Sequence, residues 1–178
     1  MEEKPRSAAM NSLWFGLITG GVLILFSLVL FLAGLHTSRN LGYIGYVFLI
    51  AGLAWGTIEY RNKSLGGFIS YGKAFMSCFM IGLYAGLILA VYMFVFVQYI
   101  HPGFIGEMLD ISRQAIYESN SNMTDEQVEQ AVEMSAKFMS PVMLAVWTFV
   151  GYLFASAVFG LIIAIFVKKE DKSAASQV

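Results

Sequence analysis

Apolar residues dominate four stretches that contain no Asp, Glu, Lys or Arg: Ser7–Ser38, Asn40–Ile58, Ala74–Gly106 and Phe138–Val167. A helix needs roughly 20 mostly apolar residues to cross a hydrocarbon core about 30 Å thick, and an ionised side chain parked in that core is costly. The pattern therefore predicts an all-α integral membrane protein with four transmembrane helices, at about Leu13–Leu35, Leu41–Ile58, Ala74–Ile100 and Pro141–Val167. His36-Thr37-Ser38-Arg39-Asn40 is a short link between the first two, which forces a reversal and points to an antiparallel bundle. His101-Pro102-Gly103 closes the third, since proline removes a backbone donor and glycine relaxes the chain at a helix end. Ser140-Pro141 opens the fourth, with serine as acceptor for orphan N–H groups and proline at the first helical position.

Between the third and fourth spans the pattern changes from uniformly apolar to amphipathic. Phe104, Met108, Ile111 and Ala115, with Ile105, Leu109 and Ile116 alongside, recur at helical spacing and predict one helix with an apolar face. The polar breaker Asn120-Ser121-Asn122 follows. Thr124 then stands three residues before Gln127, the spacing of a capping box, with Met123 and Val128 at the staple positions. A second helix carrying Val128, Val132, Ser135 and Met139 on one side completes an extramembrane amphipathic helical hairpin over about residues 103–139.

Charge adds an orientation. The basic residues Lys4, Arg6, Arg61, Lys63, Lys73, Lys168, Lys169 and Lys172 fall on one side of the predicted spans, against Arg39, Arg113 and Lys137 on the other. Positive residues near spans are held on the cytoplasmic side during insertion, so both termini are expected there and the loop 101–140 on the far side. That loop is acidic, with Glu107, Asp110, Glu118, Asp125, Glu126, Glu129 and Glu133 against Arg113 and Lys137. The ordinary reading of such a run is a solvated face; the sharper one is a cap that docks on the bundle or on a partner protein. A net charge of −1 argues against nucleic acid as a partner. The apolar run after Lys4 and Arg6 exceeds a signal-peptide core of about 7–15 residues, so it is expected to stay as the first span. No lipidation motif is evident.

Within a bilayer, helices associate through small residues that let backbones approach. Each span carries such positions: Gly16 and Gly20, Gly52 and Gly56, Gly82 and Gly86, then Gly151 with Ala155 or Ser156 with Gly160. They are expected to mediate helix packing, within the chain or between copies of it. Trp14, Tyr43, Tyr60, Tyr71 and Tyr99 lie near span ends, where amphipathic rings anchor at the headgroups.

Candidate chemistry is sparse. No catalytic residue, cofactor site or nucleotide loop is assigned, because no nucleophile-elbow serine occurs and the glycines at Gly66-Gly67 and Gly72 follow no strand. Cys78, the lone cysteine, lies in an apolar run and reads as a packing residue. The polar groups inside the spans, Thr19, Ser27, Thr57, Ser77, Gln98, Thr148 and Ser156, are neutral and suited to bonding nearby carbonyls, which argues against charge-coupled transport. Glu59 and Lys73 bracket the cytoplasmic loop and suit an interfacial ion pair. His36 and His101 fall at the far-side ends of their spans and are the weak metal candidates, with Glu107 or Asp110, although no close ligand spacing supports them.

At Ile69-Ser70-Tyr71-Gly72-Lys73-Ala74-Phe75, entering the third span, the chain resembles a bacterial membrane family known only as domain of unknown function 4199. Pro102, Pro141 and Lys168-Lys169 match its landmarks: a proline after the third span, a proline opening the fourth and a basic end. The resemblance implies four membrane helices with a long loop before the last, in a bacterial inner membrane, which makes the hairpin periplasmic. It brings no activity, so Tyr71, Gly72 and Lys73 enter as motif residues with structural roles: an anchor, a bend and a charge that fixes orientation.

The leading expectation is a non-enzymatic scaffold or accessory subunit for another envelope protein, in contact with the lipid bilayer and a membrane-protein partner. The alternative is a small transporter or channel-like homo-oligomer for a neutral or lipidic solute, its path lined by the glycine faces. A membrane enzyme acting at the His36 and His101 face ranks last.

Overall fold

The computed structural model describes residues 7–119 and 123–169. The basic residues Lys4, Arg6 and Lys172 and the breaker Asn120-Ser121-Asn122 lie outside them. Among the described residues the secondary structure is helical, apart from one isolated bridge between Ile69 and Lys169. In chain order the helices are α1 (Ala8–Leu32), the short α2 (Arg39–Gly42), α3 (Ile44–Glu59), α4 (Tyr71–Val95), α5 (Phe104–Ser119), α6 (Asp125–Ala136) and α7 (Pro141–Val167). π-helical turns extend α3 over Tyr60–Ser64 and α4 over Phe96–Ile100. Four helical stretches are long and apolar enough to cross a membrane, Ala8–Leu32, Asn40–Ser64, Tyr71–Ile100 and Pro141–Val167. The shortest of them has 25 residues, about 37 Å at the helical rise, which exceeds the hydrocarbon thickness.

Local chemistry sets the ends. Ser7 caps α1 by accepting from the Met10 amide at 3.3 Å. The helix stops at Leu32, short of the expected Leu35, because Gly34 takes a left-handed φ of 69° and the Leu35 amide bonds back to the Leu30 carbonyl at 2.8 Å. Only glycine adopts that conformation without a Cβ penalty. The second expected span is broken at Tyr43, between α2 and α3, and runs past Ile58 through the π-turn. Ser140 accepts from the Met143 amide at 3.2 Å, so the serine–proline start acts as its sequence predicts.

The chain divides into two compact units, one of Met1–Leu89 with Phe149–Val178 and the other of Ala90–Thr148. In the first unit, α1 lies on α3 through Phe15 against Trp55 and Phe26 against Phe48, with ring centroids 5.5 and 5.2 Å apart. As α1 advances from Phe15 to Phe26, its partner on α3 recedes from Trp55 to Phe48. Between α4 and α7 the same holds: Cys78 meets Gly160, Gly82 meets Ser156, and Gly86 meets Phe149 and Tyr152. Tyr46 of α3 stacks on Tyr152 of α7 at 6.3 Å. The core of this unit is Leu49, Leu53, Ala74, Cys78, Ile81 and Ala164, each fully buried.

The second unit pairs α5 with α6. Val128 and Val132 are its buried side chains on α6, and Ile105, Met108, Leu109 and Ile116 are half-buried on α5. Ile111 and Ala115, expected on the apolar face, are exposed. Ser112, which was not expected there, joins Ile105, Leu109 and Ile116 in the half-buried stripe, so the stripe is rotated relative to the sequence reading.

Candidate functional site

Glycines make the closest helix contacts in the first unit. A Cβ added to Gly16 would stand 2.5 Å from the Tyr84 Cβ and 3.0 Å from the Ile81 carbonyl oxygen. At Gly56 it would stand 2.6 Å from Ile81 Cδ1 and 2.7 Å from Phe15 Cγ. At Gly52 it would overlap the Thr19 side chain, and at Gly82 the Ser156 side chain. Gly160 is tight as well, 3.0 Å from the Cys78 Cβ, whereas Gly20 and Gly86 have ordinary contacts beginning at 3.4 Å. Gly151 departs from the expectation: it is exposed, and an added Cβ meets nothing within 4 Å among the described residues. On α7 the packing face carries Ser156 and Gly160, and the Gly151 position lies off it.

Missing side chains let polar groups face one another. Asn11 Nδ2 donates to the Gly56 carbonyl at 3.0 Å, joining α1 to α3. Thr57 Oγ1 donates to Ser77 Oγ at 3.2 Å and lies 3.2 Å from Cys78 Sγ, joining α3 to α4. The expected bond to a carbonyl of the same helix forms at Thr148, which donates to Leu144 O at 2.8 Å, but Thr57 and Ser77 bond across helices. Such contacts are worth about 0.6 kcal/mol on average between membrane helices, and fix register as well as energy. Asn11 escaped the sequence reading because the predicted span began at Leu13; the start of the charge-free stretch at Ser7 was the signal for it.

At the end of α7 a clasp is formed by the segment that follows α3. Ile69 and Lys169 exchange two backbone hydrogen bonds of 2.9 Å, and Arg61 donates to the Val167 carbonyl at 3.0 Å. Lys169 lies over the Phe68 ring, 5.5 Å from its centroid. The bend here belongs to Gly66 and Gly67, with φ of 65° and 92°. Gly72, which was expected to permit it, instead sits in the first turn of α4. The anticipated Glu59–Lys73 pair is replaced by Glu59–Lys63 at 2.6 Å, because residues four apart on one helix face each other without spanning a loop. Tyr71 donates to the Leu161 carbonyl at 3.4 Å, and Lys73 lines a cleft beside Ser77.

In the second unit, Thr124 and Gln127 form the reciprocal capping box. The Gln127 amide donates to Thr124 Oγ1 at 3.4 Å and the Thr124 amide to Gln127 Oε1 at 3.0 Å. Arg113 bridges α5 and α6, donating to Asp110 at 2.9 Å and to Glu129 at 3.2 Å. Tyr117 donates to Asp125 at 3.0 Å, and this bond to a carboxylate pushes its phenol above the usual tyrosine range. Glu118, Glu126 and Glu133 are exposed. Of the weak metal candidates, His101 Nε2 lies 2.9 Å from Glu107 Oε1, with the His101 ring against Phe96 and Phe104. Asp110 is engaged with Arg113. His36 belongs to the first unit, half-buried in the link after α1 with its ring 5.4 Å from that of Phe31.

Long apolar helices joined by small-residue contacts, with an amphipathic helical pair between the third and fourth, define a multi-pass helical membrane protein. The family is specific: the chain belongs to the one described as "Protein of unknown function (DUF4199)", whose model matches residues 14–169. No curated protein and no solved structure matches it.

Proposed function

We propose that the chain is an antiparallel four-helix bundle of a bacterial inner membrane, non-enzymatic, which scaffolds or assists another envelope protein through the acidic face of α5 and α6. Its termini are cytoplasmic and the α5–α6 hairpin is periplasmic. The observation that carries this reading is the build of the hairpin: Arg113 and Tyr117 tie its helices together while Glu118, Glu126 and Glu133 are left on the surface. A rigid, acidic, outward face is chemistry for recognising a basic surface, and charge complementarity speeds and orients such an encounter. What favours it over a channel-like oligomer is that Gly16, Gly52, Gly56 and Gly82 are each met by neighbours in the same chain.

The test is co-purification in gentle detergent followed by native mass spectrometry. Wild type is expected to carry a second polypeptide that the Glu118→Gln/Glu126→Gln/Glu133→Gln variant loses at about 0.15 M salt, where exposed charges still act over roughly 8 Å. A symmetric homo-oligomer unaffected by the triple substitution would reverse the choice in favour of the transport reading. Sidedness is checked separately. A Glu126→Cys variant should react with a membrane-impermeant maleimide in intact spheroplasts; labelling only after lysis would invert the proposed orientation.

A further inference from the structure

A cleft of about 470 Å³ opens in the first unit, walled by the first turn of α1 at Ala8 and Ala9 and by Met76 and Met80 of α4. Its size is that of a site for a small molecule or one lipid segment. Among the described residues, Ser12, Tyr60 and Ser77 supply its polar edge and Lys73 a formal positive charge. Both serines are buried, and Ser77 is already occupied by Thr57. The remaining lining is hydrocarbon and thioether. Methionine is unbranched and flexible, and conforms well to a chain of variable shape.

Among the described residues that line the cleft, Lys73 alone carries a formal charge. Of the described basic residues just after Tyr60, Arg61 is engaged with the Val167 carbonyl at 3.0 Å and Lys63 with Glu59 at 2.6 Å. Lys73, by contrast, is exposed on the first turn of α4. Two long helices, α1 and α4, begin at the cleft, and each adds the partial positive charge of its N-terminus. An apolar recess with a cationic rim, in a protein surrounded by lipid, matches a hydrocarbon tail joined to an anionic head.

We propose that this cleft binds one anionic phospholipid from the surrounding leaflet, an acyl chain lying along Met76 and Met80 and the headgroup phosphate at Lys73. The site shares no residue with the hairpin and does not rest on any role given to it, so the two can fail separately. Delipidated full-length protein in detergent would be titrated with phosphatidylglycerol and with phosphatidylcholine of the same chains, and bound lipid counted by native mass spectrometry. One phosphatidylglycerol should bind about fivefold more tightly than phosphatidylcholine, the worth of a single lysine at an anionic headgroup. Lys73→Arg should keep that preference and Lys73→Gln abolish it, while Met80→Trp should fill the recess and weaken both lipids. Equal binding of the two lipids by wild type, or a preference that survives Lys73→Gln, would overturn the proposal. So would displacement of the lipid by glycerol phosphate, since a headgroup alone would then be the ligand. Specific binding that emerges only after residues 1–6 are removed would assign the cleft to the chain's own N-terminal segment instead.

Discussion

Gly82→Leu is expected to abolish the folded state in detergent, and Gly82→Ala to lower the melting temperature sharply, because a side chain at this position has to enter the space held by Ser156. Ser156 is fully buried on α7, and its Cβ as well as its hydroxyl stands in the way. Overpacking of this kind costs about 1–3 kcal/mol, and for a chain of this length each kcal/mol moves the transition by roughly 2–4 °C. The obstruction is a side chain, so it can be moved. Ser156→Gly in the Gly82→Ala background should recover most of the loss by exchanging the small and large partners across the contact. Ser156→Ala should not, since the Cβ stays. The Ser156 hydroxyl has no hydrogen-bond partner among the described residues, so deleting it alone forfeits no bond. Thermal melts of the single and double variants read the coupling directly; contacting pairs give about 0.5–3 kcal/mol, and strict additivity would show that Gly82 and Ser156 do not touch. Gly151→Ala is the control and should leave the transition unchanged or slightly raised.

That contrast shows what the sequence could and could not carry. Four helices were legible in the charge-free stretches, as were the serine–proline start of α7 and the Thr124–Gln127 cap, because these signals are local. Which glycine meets which neighbour was not legible. A helix that is apolar all round has no polar stripe to mark its outer face, so periodicity gives Gly151 and Gly82 the same standing. Long-range partners decide between them: Ser156 fills the Gly82 contact, and none of the described residues comes within 4 Å of a Cβ at Gly151. The same reason hid the Asn11–Gly56 bond and the Thr57–Ser77 pair, each joining helices whose order around one another no local pattern records. At the loop the error was different. Glu59 and Lys73 looked paired because they flank one segment, but Glu59 had a nearer lysine one helical turn away at Lys63. That choice is what frees Lys73 for the cleft. In α5 the amphipathic signal was real and its phase was off, since Ser112 lies in the half-buried stripe and Ile111 outside it.

Gly16→Ala is expected to be the most damaging of the conservative glycine substitutions, and the hardest to rescue. Its added Cβ would stand 2.5 Å from the Tyr84 Cβ, 3.0 Å from the Ile81 carbonyl oxygen and 3.3 Å from the Ala85 amide nitrogen. Two of those three atoms are backbone of α4, and the third is bonded to it. No rotamer change withdraws them, so α1 and α4 have to separate, which also disturbs the contacts of Gly20 with Ala85 and Ile88 one turn along. Tyr84→Gly removes only the nearest atom and should restore little, in contrast to Ser156→Gly at the α4–α7 contact. The loss is again of the order of 1–3 kcal/mol for one methyl group, and a valine should unfold the protein. Gly21→Ala tests whether any glycine of α1 would behave this way. An added Cβ at Gly21 meets nothing within 4 Å among the described residues, so alanine there should hold or raise the transition by up to about 1 kcal/mol of helix propensity. If Gly16→Ala and Gly21→Ala melt alike, the close approach of α1 to α4 does not support the fold, and the contribution of small residues to holding these helices together has to be sought at the other tight positions, Gly52, Gly56, Gly82 and Gly160.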